Sequence, residues 1–120
     1  MELPGSVRPK RILVAEDQAI VALAIEGELG DAGHEVIGPF STCAAASRWL
    51  RDGTPDFAVL DWQLSDGPCI EVALELKSRG VPFAIFSASR NVEAPEAFRD
   101  VPWFEKPSDL NRLAALIATL

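Results

Sequence analysis

The chain has 120 residues, of which 48% are hydrophobic and 24% charged, values that indicate one globular domain rather than a disordered chain. Its net charge of −7 disfavours direct binding to nucleic acid, because such binding depends on Lys and Arg neutralising phosphates. No charge-free apolar run reaches the ~18–20 residues of a membrane span, so we expect no membrane partner.

Short apolar runs alternate with segments of helical composition along the chain, and the runs suit strands buried on both faces. We predict helices at 18–31, from Ser41 or Thr42 to 50, from a turn at 65–68 to 79, at 91–100, and from a Ser108 cap onward. The helix at 91–100 should be short or irregular because Pro95 interrupts it. We predict strands at residues 11–16, 35–38 (closed by Pro39), 56–60, 81–86 and 101–105.

This alternation predicts an α/β fold, specifically a three-layer α/β/α sandwich around a five-stranded parallel sheet. Parallel neighbours need crossover connections, and these connections place helices on both faces of the sheet. The expected strand order is 2-1-3-4-5, which is flavodoxin-like. Residues 1–10 lack a signal-peptide core, so we expect an N-terminal extension followed by one domain over residues 11–120.

Histidine and cysteine are scarce in this chain, which narrows the chemistry available to it. A zinc site or a Ser-His-Asp triad would have to be built on His34, the one histidine, which we expect to be a turn residue. Cys43 and Cys69 lack CxxC spacing and lie in apolar surroundings. We therefore expect buried thiols without a disulfide, and a reducing, cytoplasmic location.

Polar residues end four of the five predicted strands, where sites form in open parallel sheets. The first strand ends in Glu16 and Asp17, the third in Asp61, the fourth in Ser87, and the fifth in Lys106 followed by proline. In the expected order the first and third strands are neighbours, so the three carboxylates converge. Such a cluster holds either a shared proton or a hard cation such as Mg²⁺.

An aspartate beside a cation can attack phosphorus, and phosphoryl transfer depends mainly on positioning and on neutralised charge. Asp61 is the predicted nucleophile because it stands alone at the end of a central strand. Lys106 would neutralise charge on the phosphoryl group, and Ser87 would offer a hydroxyl to one of its oxygens. The adjacent pair Glu16 and Asp17 suits metal binding.

From about residue 11 onward, the sequence resembles the receiver domains of bacterial two-component response regulators. The resemblance lies in the acidic pair Glu16-Asp17, in Asp61, in Ser87 and in Lys106-Pro107, in that order on the matching elements. It implies that Asp17 and Asp61 ligate Mg²⁺ and that Glu16 acts through metal-bound water.

The resemblance also assigns roles that the strand-end argument does not supply. The backbone carbonyl of Gln63 would be a third protein ligand to Mg²⁺. The peptide bond between Lys106 and Pro107 would be cis. Ser87 would move toward the phosphoryl group, and Trp103, three residues before Lys106, would occupy the aromatic switch position.

These roles imply a phosphorylation-dependent signalling protein. Asp61 would take its phosphoryl group from a sensor histidine kinase, a phosphotransfer protein or a small phosphodonor. The phosphorylated state would be read by a downstream protein on the surface of the fourth helix, fifth strand and fifth helix. We expect a monomer or weak homodimer without an output domain of its own, and not a turnover enzyme.

Two other functions stay open from the sequence. One is a receiver-like adaptor that binds partners without phosphorylation. The other is a Mg²⁺-dependent phosphotransferase or hydrolase on the same scaffold, although those families generally place a second aspartate at the position that Gln63 occupies.

Overall fold

Five parallel strands form the central sheet of the protein in a computed structural model, which describes residues 9–88, 98 and 100–120. Within these residues the strands are β1 (Arg11–Ala15), β2 (Glu35–Phe40), β3 (Phe57–Leu60), β4 (Gln63–Leu64), β5 (Gly67–Pro68), β6 (Phe83–Ser87) and β7 (Trp103–Glu105). The helices of the described part are α1 (Ala19–Asp31), α2 (Cys43–Leu50), α3 (Ile70–Ser78) and α4 (Leu110–Ala118).

The order of the main sheet is β2-β1-β3-β6-β7, with every pair parallel. Counted along the five main strands, this is the predicted order 2-1-3-4-5, and the predicted layered α/β fold is confirmed. The helix predicted at 91–100 lies outside the described residues, apart from positions 98 and 100. No helix of the described part is both long enough and apolar enough to cross a membrane.

Two apolar cores cover the opposite faces of the sheet. In β1, Leu13 and Ala15 point into the core that holds α2 and α3, whereas Ile12 and Val14 point into the core that holds α1 and α4. All four side chains are at most 1% exposed. Because successive strand residues face opposite sides, a strand between two helical layers must be apolar at every position.

The second strand is longer than the sequence predicts. Pro39 does not close β2, which continues to Phe40. This is tolerated because β2 is an edge strand, where a missing backbone N–H costs no ladder hydrogen bond. Gly38 has a φ of +106°, and the β1–β2 register shifts between Leu13 and Ala15. The backbone N–H of Glu16 then donates to the Phe40 carbonyl at 2.8 Å, which fixes where the acidic pair begins.

The turn after the third strand is a small hairpin that sequence patterns do not predict. β4 and β5 pair antiparallel, with Gln63 opposite Pro68 and Leu64 opposite Gly67. At the base of the hairpin, the N–H of Cys69 donates to the carbonyl of Trp62 at 2.9 Å. The segment after Asp61 therefore has defined structure beside the candidate site.

The predicted Ser108 cap of the last helix is wrong. Residues 106–109 form a turn, and α4 begins at Leu110 with Asp109 as the preceding residue. The Asp109 carboxylate accepts from the backbone N–H of Glu105 at 2.9 Å. This bond ties the end of β7 to the start of α4 and so holds the turn that carries Lys106.

Candidate functional site

The carboxyl ends of β1, β3, β6 and β7 meet at one edge of the sheet and surround a cavity of about 450 Å³. The predicted order requires this convergence, because strands that run parallel end at the same edge. The cavity is lined by Asp17, Gln18, Asp61, Trp62, Gln63, Ser87, Ala88 and Lys106.

Lys106 is the cation at the centre of this site. Its Nζ lies 2.6 Å from Glu16 Oε1 and 2.8 Å from Asp61 Oδ2, and it donates to the Gln18 side-chain oxygen at 3.1 Å. The side chains of the two ion pairs are at most 7% exposed. One ammonium therefore bridges two buried carboxylates that follow different strands, Glu16 after β1 and Asp61 after β3.

Burial and pairing act against each other on these charges. Burial raises the pKa of Glu16, and the bonds to Lys106 and to the backbone N–H of Gln18 offset this only in part. Burial alone would lower the pKa of Lys106, but its hydrogen bonds to Asp61 and Glu16 raise it overall. The lysine is therefore fully charged at neutral pH, and the carboxylates depend on it for neutralisation.

The three acidic side chains form a group that could hold a cation. One carboxylate oxygen from each of Glu16, Asp17 and Asp61 lies within 4.8 Å of the others, with Asp17 exposed and the other two buried. Glu16 Oε1 is buried and lies 2.6 Å from the Lys106 ammonium, so the ion pair joins the acidic group to the site lysine. An all-oxygen donor set of this kind fits a hard divalent cation.

The loop after β3 supplies polar groups on the other side of the cavity. The backbone N–H of Gln63 donates to Asp61 Oδ1 at 3.3 Å, and the Ser65 hydroxyl donates to Asp17 Oδ2 at 3.3 Å. Gln63 thus lies at the site, as predicted. The role of its carbonyl as a metal ligand stays a prediction.

Ser87 and Lys106 are brought together by pairing of β6 with β7. Ser87 is 6% exposed and lines the cavity, and its carbonyl accepts from the backbone N–H of Lys106 at 2.9 Å. The peptide bond between Lys106 and Pro107 is cis, as the resemblance predicts. The roles of Ser87 and Lys106 toward a phosphoryl group stay predictions.

Trp103 lies on β7, half-buried, and its ring contacts the ring of Trp62 with the centroids 5.6 Å apart. Trp62 directly follows Asp61 and is 5% exposed. The residue predicted to act as a switch therefore contacts the neighbour of the predicted phosphoryl acceptor. Its movement stays a prediction.

The remaining predicted features lie away from the cavity. His34 is buried at the opposite end of the sheet, where its Nδ1 accepts from the backbone N–H of Lys10 at 3.1 Å. Cys69 is buried and Cys43 half-buried, and both are free thiols.

The sequence analysis missed four residues of the site, which are Gln18, Trp62, Ala88 and Ser65. The first three directly follow predicted site residues, so their position beside those residues could have indicated them. Nothing in the sequence indicated Ser65, because serine is common in turns and because its contact with Asp17 joins residues 48 positions apart.

No family model matches the chain. Among curated proteins, the transcriptional regulatory protein PdtaR of Mycobacterium tuberculosis is 25% identical over 113 residues, which cover 91% of this chain and 55% of PdtaR. The chain thus spans about half the length of the curated relatives it matches.

Several solved structures have a fold similar to that of this chain. The response regulator PhyR from Brucella abortus has a TM-score of 0.78 and 26% identity, over 95% of this chain and 48% of that one. The Mn²⁺-bound form of response regulator Rcp1 has a TM-score of 0.73 and 23% identity, over 92% of this chain and 91% of that one, which shows the fold alone. The predicted resemblance to the receiver domains of response regulators is therefore confirmed.

Proposed function

We propose that this chain accepts a phosphoryl group on Asp61 in a Mg²⁺-dependent reaction and signals by binding another protein in that state. The observation that carries the proposal is the pairing of Asp61 with Lys106 at 2.8 Å in a cavity open to solvent. A buried carboxylate held by a fixed ammonium has both the nucleophile and the charge neutraliser that phosphoryl transfer needs.

In the proposed reaction a carboxylate oxygen of Asp61 attacks the phosphorus of a phosphohistidine on a kinase or phosphotransfer protein. A P–O bond forms, the P–N bond breaks, and the histidine leaves with a proton from water. Lys106 then neutralises charge on the transferred group, and the Ser87 hydroxyl donates to one of its oxygens. The acyl phosphate forms on the chain itself, so we infer a signalling substrate rather than a turnover enzyme.

Asp17 and Asp61 would hold Mg²⁺, with the Gln63 carbonyl as a third ligand and Glu16 acting through water. The bound ion would supply positive charge to the phosphoryl oxygens. The cluster of three carboxylates supports this assignment, and so does the Mn²⁺-bound form of Rcp1 among the structural neighbours.

Two observations support a protein rather than a nucleic acid as the partner of this chain, namely its net charge and the names of its relatives. A net charge of −7 gives no electrostatic footprint for nucleic acid. PdtaR and PhyR carry the names of regulatory proteins, which supports a role in regulation through a downstream protein.

Intact-mass spectrometry after incubation with acetyl phosphate tests the proposal. We expect the mass of one phosphoryl group to be gained with Mg²⁺ and not with EDTA, and Asp61→Asn to abolish the gain. Asp52→Asn, at an exposed position after α2, is the matched control and should keep it. No Mg²⁺-dependent gain, or a gain retained in Asp61→Asn, would overturn the proposal and favour a phosphorylation-independent adaptor.

A further inference from the structure

The hairpin formed by β4 and β5 is fastened to the start of α2 by one carboxylate. Asp66 Oδ1 accepts from the backbone N–H of Cys43 at 2.8 Å, and Oδ2 accepts from that of Ala44 at 3.1 Å. Both donors belong to the first turn of a helix, where N–H groups have no partner within the helix. These bonds also lower the pKa of Asp66, so the carboxylate is charged at neutral pH.

Ser65, the residue before Asp66 in the hairpin, contacts the acidic pair. The Ser65 hydroxyl donates to Asp17 Oδ2 at 3.3 Å, and the Ser65 backbone N–H donates to the Ser41 carbonyl at 3.4 Å. Adjacent residues at the tip of one hairpin therefore connect α2 to the acidic pair.

Asp17 differs from the other two carboxylates of the cluster in how it is held. Glu16 and Asp61 are buried and paired with Lys106. Asp17 is exposed, and in the described part of the chain its carboxylate accepts a hydrogen bond from the Ser65 hydroxyl. Removing that donor would take away the hydrogen bond that orients the Asp17 carboxylate toward the rest of the cluster.

We propose that Ser65 is a positioning residue for Asp17 and that Asp66 holds Ser65 in place by anchoring the hairpin on α2. The inference rests on the proposed function, because it concerns the residues that would bind Mg²⁺. A metal site gains affinity when outer hydrogen bonds orient its ligands in advance, and losing such a bond typically costs about 10–100-fold in affinity. An exposed bond of 3.3 Å belongs at the low end of that range.

A purely structural role for Asp66 can be separated from this one. Thr42 already caps α2, since its hydroxyl accepts from the Ala45 backbone N–H at 3.1 Å. Thr42→Ala therefore weakens the same helix terminus but leaves the attachment of the hairpin intact. It is the matched control for Asp66→Ala.

The test is a calorimetric titration of each purified variant with MgCl₂ alone, alongside its thermal midpoint. We expect Ser65→Ala to weaken Mg²⁺ binding about 10-fold without a large loss of stability, and Ser65→Thr, which keeps the hydroxyl, to restore binding. Asp66→Ala should weaken Mg²⁺ binding to a similar degree, whereas Thr42→Ala should lower the midpoint but keep the affinity.

The outcomes distinguish this inference from the proposed function. Absence of Mg²⁺ binding by the unsubstituted chain would overturn both. Normal binding by the unsubstituted chain with unchanged affinity in Ser65→Ala would overturn the inference alone. Equal losses of affinity in Asp66→Ala and Thr42→Ala would overturn the anchoring role of Asp66 and assign the loss to helix stability.

Discussion

Trp62 and Trp103 lie ring against ring, with centroids 5.6 Å apart and planes inclined at 44°. Trp62 follows Asp61 at the end of β3, and Trp103 begins β7, so the contact links the predicted phosphoryl acceptor to the outer strand. Phe98 packs edge-on against Trp62 at 6.0 Å. A displacement of Trp103 must therefore disturb the ring beside Asp61.

A double-mutant cycle should detect this contact as a coupling energy. We expect Trp62→Leu, Trp103→Leu and the double variant to show about 0.5–1.5 kcal/mol of coupling in urea unfolding, the range for aromatic pairs beyond their area burial. Trp49, whose ring packs on Gly53 and Arg11, is the control. The Trp62 and Trp49 substitutions should add within about 0.5 kcal/mol. Full additivity of Trp62 and Trp103 would contradict the prediction.

The same pair offers a readout of switching, because Trp49, Trp62 and Trp103 are the three tryptophans of the chain. In a Trp49→Phe background, beryllofluoride with Mg²⁺ should change the emission of the remaining pair. We expect Asp61→Asn to abolish the change. A change in tryptophan emission that persists in Asp61→Asn would show that beryllofluoride does not act through Asp61.

Replacing Lys106 should lower the stability of the fold, because it leaves the buried carboxylates of Glu16 and Asp61 without their cation. We expect Lys106→Met to lower the free energy of unfolding by about 3 kcal/mol at pH 7, as for a buried pair that loses one partner. The loss should shrink as the pH falls, because Glu16, whose pKa is already raised by burial, then takes up a proton and leaves one charge fewer without a partner.

Two further variants check the Lys106 result. Glu16→Gln in the Lys106→Met background should restore part of the stability, because it removes one unpaired charge. Lys77→Met, at a side chain that is 39% exposed, should cost less than about 1 kcal/mol. Equal effects at Lys77 and Lys106 would contradict the central role of the site lysine.

His34 should make the fold less stable as the pH falls through 6.5. Burial first, and the charge of Lys10 second, lower the pKa of His34 in the folded state. The unfolded chain then binds the proton more readily, so stability is fully present above 6.5 and declines below it, by at most about 1.4 kcal/mol per pH unit. Urea unfolding between pH 7.5 and 5.5 measures how the free energy of unfolding changes with pH. We expect this change to be smaller in His34→Asn than in the unsubstituted chain, and equal changes would refute the prediction.

Gly38 should tolerate substitution poorly because its backbone and its surroundings both require glycine. Its φ is +106°, and a Cβ there would lie 2.8 Å from the Phe40 nitrogen and from the Val14 carbonyl oxygen. We expect Gly38→Ala to cost about 2–3 kcal/mol in urea unfolding. Gly33, with a φ of +92° but open space around it, is the control, and Gly33→Ala should cost about 1 kcal/mol. Equal costs would show that the close approach contributes nothing.

The sequence by itself predicted the five main strands, the four helices that the structure describes, an α/β fold with the sheet order 2-1-3-4-5, and the candidate residues at the edge of the sheet. Apolar periodicity and turn residues are local signals, and a parallel sheet with crossover helices leaves few arrangements. The residues at the strand ends therefore predict that Glu16, Asp17, Asp61, Ser87 and Lys106 lie close together.

Only the tertiary structure decided how these side chains are held. The pairing of Lys106 with Glu16 and Asp61, and the contact of Ser65 with Asp17, join residues far apart in sequence. The extension of β2 past Pro39 likewise follows from its place at the edge of the sheet. Such contacts depend on register and packing, which local propensity does not encode, because many side-chain arrangements are compatible with the same pattern of elements.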